Sequence, residues 1–179
     1  MASDIKTVER LETALKTEIA GYRFYSAAAS TVADEKGRNI FAHLAKEELD
    51  HIKVIHAIGE LARSGKPWAA FDDAVRVGET AISGALPIYP GQDALVERLK
   101  KNPTDLNALR IGMEIEEAAT EFYSKMLKDA TTPGEKVILT RLLEMEKGHL
   151  KILRWESESL MRTGFWAGQM EYNVEKELD

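Results

Sequence analysis

The sequence predicts an all-α fold: a four-helix bundle made of two helical hairpins, joined by one long crossover between the second and third helices. Three observations carry this. Caps and breakers divide the chain into four long segments, no stretch alternates as a strand would, and the second half repeats the chemical pattern of the first.

Ser3 is placed to cap a first helix that runs to about Asp34, where a turn around Gly37 breaks it. A second helix runs from about Arg38 until Gly65 and Pro67 stop it, and the short link makes the pair antiparallel neighbours. Residues 66–103 show poor periodicity and frequent Gly and Pro, with one short helix at "DALVERLKK", so they read as the crossover. Thr104 caps a third helix reaching about Ala130. In "TTPGE", Thr132 caps a fourth, Pro133 takes its first position and Glu135 closes a capping box. The fourth helix runs to about Gly164, giving one domain over 1–164 and a tail, 165–179, that the pattern does not decide.

Composition narrows the function. A chain of 179 residues, 44% hydrophobic, fills one core. Its net charge of −6 offers no basic face to replace phosphate counterions, which argues against a nucleic-acid partner. With no cysteine, thiol chemistry, iron–sulfur clusters and zinc ribbons are excluded, so any metal must be held by Glu, Asp or His. The N-terminal "MASDIKTVERLE" has no apolar leader pattern, and the longest uncharged stretch, Thr80 to Gln92, is far too short for a bilayer. A cytoplasmic protein with no membrane partner is expected.

"LAKEELDHIKVI" from Leu44 lies over "LLEMEKGHLKIL" from Leu142, both reading Leu-x-x-x-Glu-x-x-His-apolar-Lys-apolar-apolar. "EIAGYRFYS" from Glu18 lies over "EEAATEFYS" from Glu116. The spacing from Glu18 to Glu48 and from Glu116 to Glu146 is 30 in each case, and to His51 and His149 it is 33. Each half is therefore the same two-helix unit.

Steps of three and four residues trace one face of each helix. The faces are Leu11, Leu15, Glu18, Tyr22, Tyr25 and Ala29; Phe41, Leu44, Glu48, His51, Ile55, Ile58 and Ala62; Leu109, Gly112, Glu116, Ala119, Tyr123 and Met126; and Leu139, Leu142, Glu146, His149 and Leu153. Acids and imidazoles thus interrupt apolar stripes, and all six polar groups face the core. Four uncompensated carboxylates there would suffer desolvation and mutual repulsion. Two divalent cations balance them, with the imidazoles as neutral ligands, and the i, i+3 spacing lets Glu48 and His51 reach one ion and Glu146 and His149 the other.

On these motifs, over roughly Ser3 to Gly164, the chain resembles the rubrerythrin-like branch of the ferritin-like superfamily. The resemblance implies terminal metal ligands at Glu18 and Glu116, bridges at Glu48 and Glu146, and His51 and His149 each on one metal. Two positions depart from the family. Ala119 stands where rubrerythrins carry a further Glu one turn after the third-helix ligand. No cysteine is present to build their rubredoxin electron relay, so electrons must come from an external donor, rubredoxin-like or flavin-dependent.

Around these residues stand others with plainer readings. Glu114 and Glu117 flank Glu116 but break the spacing and read as solvated. His43 and His56 lie off the stripe, and Asp50 and Lys53 read as surface charges. Trp68, Trp155 and Trp166 read as packing. Tyr25 and Tyr123, each seven residues after a proposed ligand, either pack in the core or hydrogen-bond to one. Oxygen-rich ligands with two imidazoles suit iron or manganese and also bind zinc; redox chemistry favours two iron ions. The resulting expectation is an oxidoreductase reducing hydrogen peroxide or dioxygen. Its alternative is a ferroxidase, iron-storage or iron-handling protein. A homodimer or higher homo-oligomer is expected for either.

Overall fold

The computed structural model describes residues 5–81 and 86–170, and among these it contains six α-helices and no strand. They are α1 (Ile5–Thr31), α2 (Glu35–Arg63), α3 (Phe71–Ala81), α4 (Ala94–Lys101), α5 (Asp105–Asp129) and α6 (Pro133–Thr163). The expected cap at Ser3 and the last nine residues of the tail lie outside the described residues.

The four long helices are the expected ones. α1 packs along α2, α5 packs along α6, and α1 also meets α5. The caps explain where the second hairpin begins: Thr104 accepts from the Asn107 amide, while Thr132 and Glu135 form the reciprocal capping box with Pro133 in the first turn. α6 ends on Gly164, whose φ of 76° is the left-handed conformation that glycine adopts without penalty.

The first hairpin's turn falls earlier than the sequence predicts. Asp34, rather than a residue near Gly37, is the N-cap of α2; its carboxylate accepts from the Lys36 and Gly37 amides. Gly37 lies inside the helix for a packing reason. A Cβ there would stand 2.6 Å from the Trp166 ring and 2.7 Å from Val32. A glycine required for close approach looks, in one sequence, like a glycine required for a turn.

The crossover holds two helices, and α3 is the unpredicted one. Phe71, Ala74 and Gly78 form its buried face. Gly78 reads as a breaker, yet a Cβ there would lie 2.3 Å from the Lys53 carbonyl oxygen, so glycine permits α3 to lie against α2. Arg141 of α6 stacks 3.9 Å over the Phe71 ring and pairs with Asp72 at 3.1 Å. α4 matches the expected "DALVERLKK" helix.

Past Gly164 the chain folds back. Trp166 is buried and its indole N–H donates to Asp105 at 2.9 Å, while buried Glu156 accepts the amides of Ala167, Gly168 and Gln169. Trp68 is partly buried against the core. Trp155 departs from the packing expectation: it is 42% exposed, since α6 turns that face to solvent.

Two apolar clusters fill the bundle. One gathers Leu11, Leu15, Ile55, Ile58, Met126 and Leu139; the other gathers Phe24, Phe41, Leu44, Leu109, Ile111 and Leu153. Burial of this kind contributes about 25 cal/mol per Å² of apolar surface. The six polar core residues form a layer between the clusters.

Candidate metal centre

Glu18, Glu48, His51, Glu116, Glu146 and His149 are all buried, none more than 3% exposed. Their helices deliver them as the stripes predict. Every residue of the traced faces on α2, α5 and α6 is buried, whereas on α1 Tyr22 and Ala29 are half-buried and Phe24 and Ala28, off the traced face, are buried.

The six side chains divide into two overlapping groups. Glu18, Glu48, His51 and Glu146 can each offer one ligand atom within 4.8 Å of the others, and so can Glu48, Glu116, Glu146 and His149. Glu48 and Glu146 are common to both. His51 Nδ1 lies 3.4 Å from Glu18, 3.5 Å from Glu48 and 3.1 Å from Glu146. His149 Nδ1 lies 3.6 Å from Glu116 and 3.5 Å from Glu146. The rings stack with centroids 5.6 Å apart and 19° between their planes.

Both tyrosines reach the cluster. Tyr25 donates its hydroxyl hydrogen to Glu116, and Tyr123 donates to Glu18, so each crosses between α1 and α5 to the glutamate of the opposite repeat. Gly112 makes room for the first: a Cβ there would be 3.3 Å from the Tyr25 ring and 3.2 Å from Leu153.

The buried charges of the cluster act on one another. Burial, then the Glu146 charge, pushes Glu116 up to about 8. Burial and the Glu18 charge raise Glu48 well above the carboxylate range. Glu146 is held well below that range: burial works to raise it, but the charge of His51 and the closeness of both imidazoles prevail. Burial likewise works to lower both imidazoles, yet the carboxylates around them raise them well above the usual value. The tyrosines are raised first by burial and then by Glu116 or Glu18.

The donor set suits two divalent cations. Glu48 Oε2, Glu116 Oε2, both oxygens of Glu146 and His149 Nδ1 are buried without a hydrogen-bond partner. Buried acceptors lacking donors are costly, by about 1–3 kcal/mol each. These are the atoms that hard or borderline cations take as ligands. A cleft of about 490 Å³ between α1, α5 and the 89–98 segment, lined by Thr17, Ala20, Tyr89, Arg98 and Ile115 among others, contains none of the six.

Glu47 was not among the sequence candidates. Its Oε2 lies 2.6 Å from His149 Nε2, on the side of the ring away from the cluster. The hydrogen bond with His149 lowers its pKa, against the upward effect of burial. No local signal marks it in the sequence, and only the approach of α6 brings His149 to it. The remaining candidates keep their plain readings. Glu114 pairs with Arg98 and Arg110, Glu117 pairs with Arg154, and His43 and His56 are partly buried outside the cluster. Asp50 pairs with Lys53 at 2.8 Å.

Fold and site together define a carboxylate-rich helical bundle with two adjoining groups of buried metal-ligand atoms. Residues 92–156 match the Rubrerythrin family model. The match covers less than half of the chain and, with the buried Glu and His groups, is consistent with a rubrerythrin-like helical bundle that holds metal. It spans Glu116, Tyr123, Glu146 and His149; Glu18, Glu48 and His51 lie outside the matched residues. No curated protein and no solved structure matches the chain. Among the described residues no helix is long and apolar enough to cross a membrane.

Proposed function

We propose that this chain is a cytoplasmic di-iron oxidoreductase of rubrerythrin type, reducing hydrogen peroxide, or dioxygen, with electrons from an external donor. The observation that supports it most is the pair of overlapping ligand groups sharing Glu48 and Glu146. Sharing is what a bridge requires, so these two glutamates would hold both metals, Glu18 and His51 would complete one position, and Glu116 and His149 would complete the other. Iron is the proposed metal, with manganese or zinc able to occupy the same donors.

When bound, a ferrous pair supplies the two electrons that convert one peroxide and two protons into two waters. The chain's own groups prepare the place for it. Tyr25 and Tyr123 hold the Glu116 and Glu18 carboxylates in position. The two apolar clusters exclude water above and below the polar layer, which strengthens every charge interaction inside it. The proposed donor is an external rubredoxin-like or flavin-dependent protein.

Stopped-flow oxidation of anaerobic, ferrous-loaded protein tests this reading. Oxidation much faster with hydrogen peroxide than with dioxygen, and sustained turnover with an added reductase system, are expected. Accumulation of iron well beyond two per chain would instead make the protein an iron-storage or iron-handling protein.

A further inference from the structure

The internal repeat makes the two halves of the cluster nearly equivalent, and one residue breaks the equivalence. Glu18 and Glu116, Glu48 and Glu146, His51 and His149, and Tyr25 and Tyr123 are each related by 98 positions. The same step carries Glu47 to Met145. His149 therefore has a carboxylate at its outer nitrogen, Nε2 to Glu47 Oε2 at 2.6 Å. His51 does not: its Nε2 is buried with no hydrogen-bond partner.

We infer that Glu47 is a positioning residue for His149 and makes the two metal positions inequivalent, so that the position of Glu116, Glu146 and His149 fills first and binds more tightly. The inference rests on the di-metal reading above. An imidazole with its Nδ1 towards the cluster must carry its proton on Nε2 to act as a neutral ligand. Glu47 accepts that proton in a hydrogen bond, which fixes the tautomer, fixes the plane of the ring and raises the basicity of Nδ1. Glu47 comes from α2 while His149 is on α6, so the contact also ties together the two helices that supply the bridging glutamates. The Glu47 carboxylate also has His43 Nε2 at 3.8 Å, so the closer of its two histidine contacts is the one to His149. On the His51 side the repeat offers a thioether at Met145, a weak acceptor, packed against the apolar cluster.

The test is a titration of the metal-free full chain with Co²⁺, followed by visible absorption and calorimetry, on wild type, Glu47→Leu and Glu47→Gln. Wild type should bind two ions in two resolved steps. Glu47→Leu should weaken the tighter step about 10- to 100-fold and leave the weaker one unchanged, while Glu47→Gln, which keeps a neutral acceptor, recovers part of the loss. Melting of each metal-free variant reports whether it folds, and the step splitting in wild type stands as evidence if Glu47→Leu does not. Two indistinguishable steps in wild type, or equal weakening of both steps in Glu47→Leu, would overturn the inference and leave the di-metal reading standing. Failure of wild type to bind two ions would overturn that reading itself.

Discussion

The phenolic hydroxyl of Tyr25, on α1, donates to the Glu116 carboxylate on α5, and the repeat returns the relationship as Tyr123 to Glu18. The reciprocal pair joins the two hairpins across the level at which the carboxylates meet. Tyr25→Phe and Tyr123→Phe each remove the donor from a buried acceptor, and each should cost about 1–3 kcal/mol in the metal-free protein. Urea unfolding checks this, and a loss below about 0.5 kcal/mol in both variants would count against a tight contact.

Under the proposed assignment, Glu48 and Glu146 should behave differently from Glu18 and Glu116. Glu48→Ala or Glu146→Ala removes an atom shared by both ligand groups and should abolish most binding at both positions. Glu18→Ala or Glu116→Ala should retain about one metal per chain. Elemental analysis after anaerobic loading and desalting gives the ratio, and full occupancy in the bridging variants would sink the assignment.

Metal should hold the fold together. In its absence the cluster must keep protons or admit water to satisfy its carboxylates, whereas bound cations satisfy them directly. Binding at one hundred times the dissociation constant stabilises by about 2.7 kcal/mol per site. Thermal melts with and without chelator should therefore differ, and coincident melts would exclude a buried metal site.

The metal-free protein should also lose stability as pH rises. Glu116 has a pKa of about 8 in the fold, above the ordinary carboxylate value of about 4.3. Folding therefore takes up a proton between these values. The contribution is fully present below the ordinary value and is lost as pH rises through that of the folded state. Chelated protein should melt lower at about pH 9 than at about pH 6, and Glu116→Gln should flatten the trend. A chelated wild type whose melting rises over that range would contradict the shift.

Most of this was legible in the sequence because it rests on local rules. The caps at Thr104 and Thr132 announce the second hairpin, and the doubled Glu-x-x-His pattern places the polar residues on buried stripes. What escaped depends on contacts between distant segments. Gly37 and Gly78 look like breakers until Trp166 and the Lys53 backbone are brought against them. Glu47 carries no local signal, and its contact exists only because α6 presents His149. A substitution separates the two meanings of glycine: Gly78→Ala meets backbone at 2.3 Å and should cost about 1–3 kcal/mol by overpacking, where a helix-interior alanine otherwise stabilises. A more stable Gly78→Ala protein would mean that α3 does not lie as close to α2 as described.

The most direct test of the central claim is anomalous X-ray diffraction at the iron edge from crystals of anaerobically iron-loaded protein. Two peaks per chain are predicted between Glu48 and Glu146, one beside Glu18 and His51 and the other beside Glu116 and His149. A six-residue cluster with no anomalous peak, or iron bound only elsewhere on the chain, would contradict it.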